Sequence, residues 1–445
     1  MSQPAAARVA MMFFLVAASA MAQADTLLDI YQLATAGDPQ LRQAEAAYRA
    51  VQETKTQARA QLRPQLSFDA GLARDRQDIT SVTGSPFPFE PTTLYANTKS
   101  YDLTLSQALY HRDLSVQLRD ADASIAQAEA NFQAAQQDLA VRATDRYFKV
   151  LAAADNLTFA QAEKKANQHL LDQAQQRFDV GLIAITDVQE AKAAFDISVA
   201  QEITAENQLA VAKEELREVT GKFHDSLRPL KESVTLPSPD PADVEKWVAT
   251  ALQQNYQLLA AQAGVDKARE DVELNRAGHY PKLDAVASYG YSDVSAGLFG
   301  GSESSDAKIG LQFSLPLYQG GGTTSRVRAA AYRLTQAREA LEQQRRSTDR
   351  QTRSADLSVL DAINSVNGLK QALVSTQSAL DATQAGYEVG TRTIVDVLQS
   401  QRNVFDAQRN YAKARYDYVV SSLQLKQAAG LLQPADIEEI NRWLE

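Results

Sequence analysis

The sequence contains no cysteine. Disulfides, thiolate nucleophiles, iron–sulfur clusters and cysteine-ligated zinc are excluded, so the framework rests on non-covalent packing. Histidine is nearly as scarce: His111, His169, His224 and His279 are scattered, and no two fall at metal-ligand spacing. Gly320 to Gly322 superficially resembles a phosphate loop, yet no lysine follows it as such a loop requires. No enzymatic activity and no cofactor are expected. Beyond Ala24 no apolar run reaches 18 residues, which excludes spanning helices and leaves only strands to cross a membrane. A basic excess is missing too. The formal charge of −10 becomes −11 once Arg8 is removed with the leader, which repels nucleic acid.

The leader itself is the first positive feature. Arg8 precedes an apolar stretch from Val9 to Ala20, then Ala22, Gln23 and Ala24, the pattern of a secretory signal over residues 1–24. The mature chain is expected to begin near Asp25 and to read as one unit written twice. At an offset of 208 to 209 residues, Arg177, Phe178, Asp179, Val180 and Gly181 answer to Gly386, Tyr387, Glu388, Val389 and Gly390, and Gly221 answers to Gly430. The expected division is residues 25–230 for the first copy, a proline-bearing linker over 231–241, residues 242–432 for the second copy, and a tail over 433–445.

Each copy carries heptads. Val397, Val404, Tyr411, Tyr418 and Leu425 fall seven apart, and three residues after each comes a small side chain, Ser400, Ala407, Ala414, Ser421 and Ala428. The first copy has Val188, Phe195, Glu202, Leu209 and Leu216 beside Ala191, Ser198, Ala205, Ala212 and Val219, with only Glu202 and Val219 out of pattern. No proline interrupts Arg112 to Asp179, which predicts one helix of about 100 Å, nearly matched by Ser325 to Glu388. The segments Asp187 to Thr220, Asp243 to Ala277, Thr393 to Ala429 and Leu27 to Gln61 are half as long. Stacked in pairs, the first two against one long helix and the last two against the other, they predict a rod of hairpins.

Four segments alternate with period two. Leu66, Phe68, Ala70 and Leu72 share one face, as do Tyr101, Leu103, Leu105 and Leu109; then Leu283, Ala285, Ala287, Tyr289 and Tyr291; then Ile309, Leu311, Phe313, Leu315 and Leu317. Strands of about ten residues suit an outer membrane, and no second apolar layer exists to cover them. Residues 75 to 99, with Gly84, Pro86, Pro88 and Pro91, and residues 293 to 306 read as exposed loops. Four strands leave two open edges, which lipid does not tolerate, so copies must share a barrel: eight strands from two copies or twelve from three. The class is α+β. The rival reading is a periplasmic coiled-coil adaptor that never enters the membrane.

At the far ends of the long helices, Gly181 and Gly390 are expected as helix stops, with Thr186 and Thr393 as caps of the returning helices. Asp187 and Asp396 then lie in first turns, where an acid complements the helix dipole.

The stretches Arg177 to Val188 and Gly386 to Leu398, supported by Ser314 to Gly321, resemble the TolC family of outer-membrane channels, and the likeness runs from about Thr26 to Leu444. It implies a homotrimer: a twelve-stranded transmembrane barrel in the outer membrane, continuous with a periplasmic α-helical barrel that tapers to a closed tip. Implied partners are a periplasmic adaptor and an inner-membrane transporter of the RND, ABC or MFS type, in efflux or type I secretion. Tyr387 and Arg392 would be latch residues bonded to Asp187 and Thr186 of the same or an adjacent chain. Asp396 would form a carboxylate ring able to hold a blocking cation. Where the family often has a second acid this sequence has Gln399, which weakens that ring. Val180, Gly181 and Leu182, with Val389, Gly390 and Thr391, match the adaptor-docking turns.

Overall fold

A computed structural model describes residues 24–81, 90–232, 234, 236–296 and 300–445. Residues 1–23 of the expected signal, and Gly84, Pro86 and Pro88 of the first expected loop, lie outside the described residues.

The long uninterrupted heptad stretches fold as expected. Helix α3 spans Arg112–Asp179 and α7 spans Gly322–Glu388, each followed by a turn and an antiparallel return: α4 over Ile185–Thr220 and α8 over Ile394–Ala428. The small row of the first copy, Ala191, Ser198, Ala205, Ala212 and Val219, is entirely buried, so α4 lies close against its neighbour. Glu202, the misfit of the large row, has a partner: Lys164 Nζ of α3 lies 2.5 Å from its carboxylate. An acid facing a lysine across a helix pair keeps the seam intact at a position where an apolar residue was expected.

The half-length helices depart from expectation in two ways. Each of two expected single helices is broken, giving α1 (Leu27–Gly37) and α2 (Pro39–Gln61), then α5 (Val244–Gln254) and α6 (Tyr256–Arg276). At both breaks an Asx residue ends one helix and caps the next, with Asp38 Oδ1 accepting from the Leu41 amide at 2.7 Å and Asn255 Oδ1 from the Leu258 amide at 3.1 Å. The stacking partners are also exchanged. The end of α4 meets the α1–α2 break, where a Cβ on Gly37 would lie 3.1 Å from the Thr220 carbonyl oxygen. The end of α8 meets the α5–α6 break, where the Asn255 amide donates to the Ala428 carbonyl at 2.9 Å. Each short helix therefore stacks on the return helix of the other expected pair, because the chain's beginning folds back onto the first hairpin.

The main core sits at this level. Tyr147, Phe148 and Tyr416 form a buried aromatic group, with Phe148 stacked on Tyr416 at 5.4 Å and Tyr147 donating to the Arg228 carbonyl at 2.7 Å. Leu230 pairs with Leu444, and α9 (Pro434–Asn441) packs Ile437 and Ile440 into the same core, so part of the expected tail is a structural element.

At the opposite end from the hairpin tips, β1 (Gln65–Ile79), β2 (Thr92–His111), β3 (Lys282–Val294) and β4 (Ser302–Ser314) form one antiparallel sheet in the order β1-β2-β3-β4. The strands are longer than ten residues, so Asp75 to Ile79 and Thr92 to Lys99, expected as loop, are paired strand. Register aligns the apolar positions in rows. Leu66, Leu105, Ala287 and Ile309 form one, and Phe68, Leu103, Tyr289 and Ala307 the next. Ala70, Tyr101, Tyr291 and Ser305 form a third, in which the two tyrosine rings stack at 6.1 Å. A bulge between Ala108 and Tyr110 shifts the register so that Tyr110 pairs with Leu283, which in turn pairs with Phe313. Leu315 and Leu317 lie beyond the end of β4. The opposite face is polar, with Ser67, Thr104, Ser288 and Lys308 in register.

Strand β2 passes directly into α3 without a loop. Polar and charged groups brace this joint: His111 Nε2 lies 2.9 Å from Asp284, Lys282 lies 2.5 Å from Asp113, and the Arg112 guanidinium covers the Tyr280 ring at 4.8 Å. No helix among the described residues is long and apolar enough to cross a membrane.

Candidate functional site

Two features concern function: the apolar sheet face and the hairpin tips. The face is uncovered. Phe68, Leu72, Ile309 and Leu311 are all exposed, with Ile309 at 92%. From Leu283 to Tyr291 the rows extend eight residues, or about 27 Å along the strand at ~3.4 Å per residue. Apolar surface of that height on a sheet with no covering layer matches the lipid-facing band of a transmembrane barrel. Strands β1 and β4 each have one edge unpaired among the described residues.

Both tip turns are built alike. Each long helix is capped by a valine, Val180 or Val389, followed by glycine with φ +76° at Gly181 and +79° at Gly390, a conformation that favours glycine. The Leu182 amide donates to the Arg177 carbonyl at 2.9 Å, and the Thr391 amide to the Gly386 carbonyl at 2.8 Å, closing the two turns the same way. Val180, Leu182 and Val389 are exposed at these ends.

The returning helices begin differently. Thr393 is the N-cap of α8, and with Asp396 it forms a reciprocal box: Thr393 Oγ1 accepts from the Asp396 amide at 3.2 Å, and Asp396 Oδ2 accepts from the Thr393 amide at 2.9 Å. The amide bond, with the Thr393 hydroxyl adding to it, lowers the Asp396 pKa below the usual carboxylate range. In the first turn the N-cap is Ala184, one position before the helix start at Ile185 and two before Thr186, so Thr186 does not cap α4. The helix begins earlier than expected because Ala184 already has extended backbone angles, φ −80° and ψ 155°. Asp187 is thus a first-turn acid whose side chain has no hydrogen-bond partner among the described residues.

Among the expected latch residues, no bond within the chain joins Tyr387 or Arg392 to Asp187 or Thr186. Arg392 packs its stem on Gly386, where a Cβ would come within 2.8 Å of Arg392 Cγ. The Tyr387 ring lies under the Arg177 guanidinium at 4.8 Å, and its hydroxyl is buried without a partner among the described residues. The sequence marks Arg177 only as the first residue of the repeated motif, with no role of its own. Gln399 donates to Asn403 at 2.9 Å on the exposed side of α8. A small tip core of Ala174, Val188, Ala191, Ala194, Ile394 and Leu398 holds the two turns beside each other.

Comparison with known proteins agrees with this architecture. The family described as "Outer membrane efflux protein" matches residues 30–222 and 247–431. Outer membrane protein TolC of Vibrio cholerae is 39% identical over 425 residues, 95% of this chain and 94% of that protein. The alkaline protease secretion protein AprF of Pseudomonas aeruginosa is 29% identical, covering 93% of this chain and 86% of that one. Among solved structures, the Campylobacter jejuni CmeC outer membrane channel superposes with a TM-score of 0.77 at 16% identity, covering 94% of this chain and 90% of that one, which speaks for the fold. With an open sheet bearing an uncovered apolar face, two long helical hairpins, and a family match across both, the chain belongs to the outer membrane efflux protein family, as a TolC-type outer-membrane channel.

Proposed function

We propose that three copies of this chain close one twelve-stranded barrel in the outer membrane and continue it into the periplasm as a helical tunnel. The tunnel serves as the exit duct of efflux and type I secretion assemblies. The observation that carries this reading is the sheet: one face of continuous apolar rows is uncovered, and both edges end unpaired among the described residues. Hydrocarbon satisfies the first and like copies the second. The duct catalyses nothing; a periplasmic adaptor and an inner-membrane transporter of the RND, ABC or MFS type supply recruitment and energy. A relative named for alkaline protease secretion and another, from Burkholderia cepacia, named for fusaric acid resistance are compatible with protein and small-molecule cargo.

The hairpin tips form the periplasmic gate. Asp187 and Thr186 of one copy face Arg392 of the next, Tyr387 completes the latch within its own chain, and Arg–carboxylate bonds hold the tip closed. Asp396 lines the narrow end; one of its oxygens caps α8 and the other remains for a cation, with Gln399 one turn further supplying a dipole instead of a second charge. The exposed turns at Val180 to Leu182 and Val389 to Thr391 receive the adaptor. Two measurements test this. The purified mature protein is expected to need detergent and to run as a heat-sensitive trimer. In planar lipid bilayers, Asp187→Asn with Arg392→Ser is expected to raise conductance severalfold, and unchanged conductance would remove Asp187 and Arg392 from the gate.

A further inference from the structure

We propose that Arg177 is a second latch of the gate, acting inside one protomer: its guanidinium seats the Tyr387 ring and so ties the end of α3 to the end of α7. This inference rests on the reading of the hairpin tips as a gate.

The geometry of the groove carries it. Helix α8 packs against both α3 and α7, and above the tip an open groove of about 670 Å³ runs along these three helices. His169 and Gln173 of α3, Gln384 of α7, and Gln401 and Phe405 of α8 line it. Packing there is loose enough that Gln401, only 4% exposed, leaves its Nε2 without a partner among the described residues. A cohesive helix pair would fill such a space or satisfy that amide. Arg177 and Tyr387 also line this groove, each in the last turn of its long helix, and the guanidinium lies 4.8 Å from the ring centroid. A cation over a tyrosine face is attracted by the ring quadrupole, more strongly where water is excluded.

The state of the Tyr387 hydroxyl points the same way. It is buried and has no hydrogen-bond partner among the described residues. In this seat the hydroxyl is not presented to a neighbouring copy, and a bond to a carboxylate there requires the ring to leave Arg177. The ring face thus holds the two hairpins of one chain together, while Asp187 and Arg392 serve the contact between chains.

The test uses single-channel conductance of the full mature protein in planar bilayers, with heat-sensitive trimer as the check on assembly. Arg177→Gln and Tyr387→Leu are each expected to raise conductance severalfold. Arg177→Lys, which keeps a cation, restores part of the closed state, and Tyr387→Phe, which keeps the ring, opens less than Tyr387→Leu. Because the two side chains act as one contact, Arg177→Gln with Tyr387→Leu is expected to match the larger single effect. Wild-type conductance in Arg177→Gln, additive effects in the double variant, or equal opening by Tyr387→Phe and Tyr387→Leu would each overturn the inference. These outcomes are separate from that of Asp187→Asn with Arg392→Ser, which judges the contact between chains alone.

Discussion

The turn after α3 and the turn after α7 share a backbone and differ in where their charges are tied. Both end a helix of nearly seventy residues on valine and positive-φ glycine, and both return through a helix with an aspartate in its first turn. In the second turn Thr393 and Asp396 satisfy each other, so that acid is part of the helix start. In the first, Ala184 offers no side chain to the cap and Asp187 keeps both oxygens free of side-chain and backbone partners among the described residues. One residue, the N-cap, decides whether the same acid three positions on is a structural brace or a group available to another chain. The position opening each motif repeats the contrast. Gly386 makes room for the stem of Arg392, whereas Arg177 reaches across to a ring on the other hairpin.

The sharpest way to break this contrast is to give the first turn the second turn's cap. Ala184→Thr places threonine three residues before Asp187, recreating the reciprocal box. The start of α4 is expected to gain about 1 kcal/mol. The gate is expected to leak, with conductance rising severalfold although every proposed latch residue is intact. Unchanged conductance alongside slower amide exchange at Asp187 would show that a capped Asp187 still latches.

The converse change has a smaller reach. Thr393→Ala removes the box from α8 and is expected to cost about 1 kcal/mol locally. Hydrogen exchange of the amides from Val395 to Val397 measures it, with faster exchange confined to that turn. The closed state should otherwise persist.

The subtlest effect is in pH. Because its bonds to Thr393 depress the Asp396 pKa, the carboxylate's contribution to the helix start is complete above the ordinary aspartate range. It is lost only as pH falls through the lowered value. Block by a divalent cation at the proposed ring is therefore expected to survive to more acidic pH than an ordinary carboxylate allows. In Thr393→Ala the midpoint should move upward, and an unshifted midpoint would show that the cap does not set this titration.

Much of this architecture was legible in the residues. The proline-free run from Arg112 to Asp179 and the period-two stretches around Phe68, Leu103, Tyr289 and Leu311 carry strong local signals, since helix and strand periodicities differ and each element exposes or buries a whole face. The break at Asp38 is also written in the chain, as an Asx cap before Pro39, an order favoured at helix starts. The break at Asn255 is subtler, having no proline to mark it. Which short helix stacks on which return helix depends on contacts between residues far apart in sequence, as between Gly37 and Thr220, and no local pattern encodes them. At the tips the turn glycines were readable from the motif, but the cap at Ala184 was not, because alanine has no capping group to announce itself. Arg177 stands in the motif but its contact does not, because its partner, Tyr387, is 210 positions away.

The unpaired borders of the sheet have a consequence for how this molecule is made. In the proposed barrel, the outer edges of β1 and β4 find their partners in neighbouring copies, so the last step of folding would be bimolecular or higher in order. Apparent stability then depends on how many chains are present together, and dilution before insertion should leave long-lived species whose helices are formed and whose strands are not.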